Sequence, residues 1–126
     1  MVNKLDLTIK KNIDFANTFY TYLCDVFGSY AKVYYDNNDL SYEREQLYLL
    51  DKLAFYIWKL QPEINEQLIL SFMRTARKFG EKCSRRNYPI LNRHGVHRIL
   101  KFGYENIEDM NTKRIIKETV DFLKSR

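Results

Sequence analysis

Ile9, Ile13, Ala16, Tyr20, Leu23, Phe27, Tyr30 and Tyr34 follow one another at alternating spacings of four and three residues. An α-helix, with its 3.6-residue turn, gathers such a series onto one stripe, whereas a strand scatters it over both faces. The spacing predicts a helix over about residues 5–35 that buries this stripe against its neighbours. Gly28 marks a point where the helix bends or ends.

Helical spacing continues along the chain. Asp36-Asn37-Asn38-Asp39 is a polar break, and Asp39 or Ser41 can cap a second helix over about 41–60. Leu47, Leu50, Ala54 and Ile57 form its stripe, broadened by Leu49, Leu53, Tyr56 and Leu60. So wide an apolar face predicts the central place in a bundle. Pro62 fits the first turn of a third helix, where its missing N–H costs nothing. Ile69, Phe72, Ala76, Phe79 and Cys83 make that helix's buried stripe, and Asn87-Tyr88-Pro89 ends it. A fourth helix, about 89–102, buries Val96, Ile99 and Leu100. Gly95 weakens it enough to allow two short turns instead, and Gly103 closes it. Beyond a polar stretch from Tyr104 to Thr112, a last helix over about 112–124 buries Ile115, Ile116, Thr119, Phe122 and Leu123.

Two prolines and four glycines in 126 residues are too few for the turns of an all-β domain. No internal repeat, low-complexity tract or linker divides the chain. The expected fold is all-α: one compact domain, residues 1–126, of about five helices.

Composition narrows the setting. A 45% hydrophobic and 29% charged chain is that of an ordinary globular protein. No apolar run approaches the roughly 18 residues that span a bilayer, and MVNKLDLTIKKN lacks the apolar core of a secretion signal. An intracellular protein, cytoplasmic or associated with a nucleoid or nucleus, is expected, with no membrane partner. Cys24 and Cys83 stand far apart, each on an apolar stripe and without Cys-x-x-Cys spacing. That predicts buried thiols rather than a disulfide or a metal site. Ten Tyr and eight Phe fill the core and also supply rings suited to an interface, with a second copy or within a larger complex.

Charge is concentrated. Arg74, Arg77, Lys78, Lys82, Arg85, Arg86, Arg93, Arg98 and Lys101 lie in one stretch against a single acid, Glu81. The whole chain carries +5, so the remainder is net acidic. On the third helix Arg74, Arg77, Lys78, Lys82 and Arg85 fall opposite the buried stripe, at spacings where like charges repel. A helix that needs only solubility intersperses acids. The third and fourth helices therefore form a basic helix-turn-helix pair, and the nine cations are expected to contact the phosphate backbone of RNA or DNA. Arg85, Arg86 and Arg93 can converge on one phosphate near the turn. For base readout only Asn92 and Arg93 are evident. An acidic protein surface answers the same charge pattern and is the alternative partner.

Motifs for catalysis are absent. His94 and His97 can share a helical face, but a metal would need a third ligand such as Glu105 or Asp109, and Arg93 and Arg98 oppose a dication. No metal or other cofactor is expected. The HEPN ribonucleases, which are basic helical bundles, place Arg and His with four to six residues between them over one scissile phosphate. Arg93 with His94 or His97, and Arg86 with His94, all miss that spacing. Phe27-Gly28-Ser29-Tyr30-Ala31-Lys32 resembles the phosphate-binding turn of minimal nucleotidyltransferases over six residues. That class needs two metal-binding aspartates with one residue between them on a strand, and Asp36 and Asp39 have two between them in a polar turn. The sequence thus predicts a non-enzymatic nucleic-acid-binding helical protein, a subunit or accessory factor of a larger assembly. The alternative is a helical interaction module, an adaptor or inhibitor, that docks onto an acidic partner.

Overall fold

The computed structural model describes residues 10–29, 40–91 and 94–125. Of these, 88% are helical and none lies in a strand. The five helices are α1 (Lys10–Ser29), α2 (Leu40–Trp58), α3 (Glu66–Lys82), α4 (His94–Asn106) and α5 (Met110–Ser125). A 3-10 turn at Gln61–Glu63 and a single α-helical turn at Tyr88–Leu91 join them. The all-α, five-helix architecture agrees with the apolar spacing. Ile9, Tyr30, Tyr34 and the Asp36–Asp39 break lie outside the described residues.

The helices alternate in direction. Asn17 of α1 bonds to residues at the start of α3, and Phe27 near its end meets Phe79 with ring centroids 5.1 Å apart. α1 and α3 are therefore parallel. Between these points the Thr75 hydroxyl donates to the Cys24 carbonyl at 2.7 Å. α4 returns antiparallel, with Gly103 against Ile69. α5 reverses again, from Thr112 beside Glu66 to Leu123 beside Gly80. α2 packs on α4 and on the Tyr88–Leu91 turn, where Trp58 meets Phe102 edge-on at 6.1 Å.

The central helix is α3, which touches α1, α4 and α5. The width of α2's apolar face pointed to α2 instead. Part of that width is solvent-facing, since Leu49 is about half exposed. On α3, by contrast, Leu68, Ile69, Phe72, Met73, Ala76 and Phe79 are all buried. Ser71, Thr75 and Gly80 are buried as well, because they are small enough to let neighbours approach closely.

Several local details differ from the expectation or refine it. Pro62 opens the 3-10 turn and not α3, whose N-cap is Asn65. The Asn65 side chain accepts from the Leu68 N–H at 2.9 Å, and buried Asn17 holds the approach: it donates to the Glu63 carbonyl at 2.8 Å and accepts from the Asn65 N–H at 2.9 Å. Gly103 does not end α4, which runs on to Asn106. A Cβ at Gly103 would stand 2.8 Å from Ile69 Cγ2, so glycine serves the close approach of α3 and α4. At Gly28, in the last described turn of α1, a Cβ would lie 3.0 Å from Thr75 Oγ1. Finally, the 89–102 segment divides into the Tyr88–Leu91 turn and α4, and α5 starts at Met110 rather than 112. Both cysteines are buried and form no disulfide. Burial, with the negative Asp25 adding to it, pushes the Cys24 thiol up to about 12.

Candidate nucleic-acid interface

The described cations of the basic stretch occupy several surfaces. α3 turns a narrow strip to solvent, carrying Arg74 and Lys78 with half-buried Arg77 beside them. Arg77 is already engaged. Its Nε lies 3.2 Å from Glu81 Oε1, and its guanidinium sits 4.5 Å over the Phe122 ring, which helps seat α5 on α3. Arg74 donates to the Ser71 hydroxyl at 3.2 Å. α3 ends at Lys82, so Arg85 is not on the helix where its spacing placed it; Arg85 and Arg86 form the exposed turn that follows.

That turn is built around a buried acid. Glu43, in the first turn of α2, is 5% exposed. Its Oε1 accepts from the Ser84 N–H at 3.1 Å, from the Ser84 hydroxyl, and from Asn87 Nδ2 at 3.0 Å. Burying a carboxylate is costly unless such donors replace its water. Here three do, and the partial positive charge at the start of α2 favours the same oxygen. The Ser84 carbonyl accepts in turn from the Asn87 and Tyr88 N–H groups, at 3.2 and 3.0 Å. The Tyr88 hydroxyl donates to the Leu123 carbonyl and ties the turn to the end of α5. With its polar groups thus satisfied inward, the turn leaves Arg85 and Arg86 to solvent.

The two cations on α4 lie elsewhere. Arg98 is half buried, 5.2 Å over the Trp58 ring on the side facing α2. Lys101 is exposed on the side facing α5, with Nζ 3.9 Å from Glu105. α3 and α4 meet through apolar sides, so their cations diverge. Arg74 and Lys78 lie one turn apart on the exposed strip of α3, Arg85 and Arg86 are exposed in the turn that follows, and Arg98 and Lys101 lie on α4. Arg93 and the side chain of Lys82 lie outside the described residues.

Glu43 was missed in the sequence, although its position signals it. It falls four residues before Leu47 and seven before Leu50, in phase with α2's buried stripe. Asn17, between Ile13 and Tyr20 on α1, is the same kind of signal. Also unforeseen are Lys113, Lys117 and Lys124, which α5 aligns beside α4.

Among the described residues no group of three or more His, Cys, Asp or Glu side chains is arranged to hold a metal ion. No helix among them is long and apolar enough to cross a membrane. Comparison with protein-family models, with curated proteins and with solved structures finds no match.

Proposed function

We propose that this five-helix bundle binds nucleic acid, without catalysis, through Arg74 and Lys78 of α3 and the turn of Arg85 and Arg86, as a subunit or accessory factor of a larger assembly. The observation that carries this reading is the diarginine turn held from within by Glu43. A turn fixed in advance loses little freedom on binding. Arginine suits the bidentate, charge-assisted bonds that phosphates accept. Among the described residues none of these four cations makes an ion pair. They are therefore available to release counterions from a polyanion.

The test is a mobility-shift titration with generic RNA and DNA over a range of salt. Four phosphate contacts predict a slope of about −3 to −4 in the logarithmic salt plot. Arg85→Gln with Arg86→Gln should reduce its magnitude by about 1–2 units while circular dichroism stays that of the wild type. Unchanged binding by the double variant would remove this turn from the mechanism.

The alternative, a protein-docking module, draws on a different surface. Phe15 and Tyr22 of α1 and Tyr48, Leu49 and Phe55 of α2 are large, apolar or aromatic, and 48–63% exposed. Lys59 lies 4.7 Å over the Phe55 ring, so a cation borders these rings. Such rings are typical interface anchors. If the wild type binds no nucleic acid at low salt, an acidic protein becomes the expected partner. Phe55→Ala with Lys59→Gln should then lose it in a pull-down, and Arg85→Gln with Arg86→Gln should keep it.

A further inference from the structure

α4 and α5 lie antiparallel and enclose an open groove of about 330 Å³ on the outside of the bundle. We propose that this groove binds a single-chain anionic amphiphile, an aliphatic chain ending in a carboxylate or sulfate. The site is separate from the arginine turn, and its occupation does not rest on nucleic-acid binding.

Two stripes face each other across the groove. α4 contributes His97, Lys101 and Tyr104, spaced four and three apart, and α5 contributes Lys117, Val120 and Lys124, spaced three and four. Leu100 and Ile116 are buried beneath them, and Val120 is half buried. The floor is therefore hydrocarbon. Leu100, Ile116 and Val120 present no donor or acceptor for the edge of a base or a sugar, which would have to find its partners among His97, Tyr104 and the lysines alone. A hydrocarbon chain needs no such partners and is drawn in by the apolar area it covers.

Every charged side chain that lines the groove is a lysine. Lys117 and Lys124 make no ion pair among the described residues. Lys101 shares only a 3.9 Å contact with Glu105, and both side chains are more than half exposed, so an incoming anion can replace that acid. At one end Lys113 lies 5.2 Å over the Tyr104 ring and extends the cationic rim. Lysine stems cover apolar surface while their heads reach a charge outside it, which suits a ligand with an oily body and one anionic end. Dimensions set its size. From Lys113 to Lys124 the helix rises about 16 Å, enough for one extended chain. The volume lies near the lower bound of about 300 Å³ for small-ligand sites. One chain fits, and a bilayer surface is not required.

The test is nuclear magnetic resonance titration of the full chain with dodecanoate below its micelle concentration. Saturable shifts are expected at the methyl groups of Leu100, Ile116 and Val120. Lys117→Gln with Lys124→Gln should weaken binding about tenfold, the size expected for losing two partly exposed charge contacts. Val120→Phe, which fills the groove at a half-exposed position, should weaken it comparably, with both variants keeping the wild-type circular dichroism spectrum. Dodecyltrimethylammonium, with the same chain and the opposite charge, should bind more weakly than dodecanoate. Equal binding of the cationic amphiphile would overturn the proposal. So would shifts confined to the exposed rings of Phe15, Tyr22 and Phe55. Binding to phosphatidylglycerol vesicles without binding of dodecanoate would assign the lysines to a membrane surface and overturn it as well.

Discussion

Glu43 of α2 accepts a 3.0 Å hydrogen bond from the side-chain amide of Asn87, in the turn beyond α3, and both residues are at least 95% buried. The same carboxylate takes the Ser84 N–H. Glu43→Ala strands these donors in the interior and should cost about 3 kcal/mol in urea unfolding. Glu43→Gln keeps an acceptor and should cost less. In the alanine variant the arginine turn loses its support, so nucleic-acid binding should weaken even under conditions where the variant remains folded. A loss below about 0.5 kcal/mol in Glu43→Ala would show that the turn stands without the acid.

Asn17 performs a comparable task at the opposite end of the bundle. It donates to the Ile13 and Glu63 carbonyls at 3.1 and 2.8 Å and accepts from the Asn65 N–H at 2.9 Å. Asn17→Ala should destabilise by about 2–3 kcal/mol. Asn17→Asp should be no better at neutral pH, because a carboxylate would face two carbonyl oxygens. Thermal or urea unfolding of the two variants checks this, and an Asp variant as stable as the wild type would refute the donor assignment.

Gly103→Ala tests the contact between α3 and α4 by the sign of its effect. In an exposed helix interior the substitution gains about 1 kcal/mol. At Gly103 the new methyl would meet Ile69 Cγ2 at 2.8 Å and Ile116 Cδ1 at 3.4 Å. Overpacking of this kind costs about 1–3 kcal/mol, so the net change should be destabilising. A raised melting temperature would mean that the two helices sit further apart.

Asp109 caps α5 and makes stability depend on acid. Its Oδ2 accepts the Thr112 hydroxyl and the Thr112 N–H, both at 2.8 Å. These two bonds, the side-chain bond foremost, hold its carboxyl below the usual range. Because the folded value lies below the unfolded value of about 3.9, the contribution is complete above that pH and disappears as pH falls through the folded value. Asp109→Ala should therefore be less stable than the wild type at pH 7, and the gap should close in acid. A gap that persists unchanged at low pH would point to a loss other than the ionised cap.

The helices were legible in the sequence because burial repeats with the helical period. Leu47, Leu50, Ala54 and Ile57 announced α2, and Ile69, Phe72, Ala76 and Phe79 announced α3, all of them now buried. What the pattern could not convey was which helix lies innermost. Thr75 and Ser71 count as polar in a periodicity, yet they are buried against neighbours because they are small. Gly103 carried two meanings, a stop or a close contact, and only the position of Ile69 decides between them. The basic stretch was legible as charge and not as a surface. Arg77 is taken up by Glu81 and Phe122, and Arg98 by Trp58, contacts that link residues distant in sequence. The groove lysines went unread for the complementary reason: Lys117 and Lys124 lie far along the chain from Lys101, and only the antiparallel pairing of α4 and α5 brings them beside it.

The parallel pairing of α1 with α3 also governs the order in which the molecule assembles and opens. α3 lies against α4 and α4 against α5, so these three can associate after closing short loops. α1 reaches α3 through bonds between residues 46 to 51 positions apart. It can dock only after the intervening chain has travelled down α2 and back, which carries a larger closure entropy. α1 should therefore be the last helix laid down and the first to lift away, and its amides should exchange with deuterium sooner than those of α3. The two thiols report the same event from inside, since Cys24 rides on α1 and Cys83 closes α3. Under native conditions an alkylating reagent should capture Cys24 first. Equal rates for the two thiols would show that the bundle opens only as a whole.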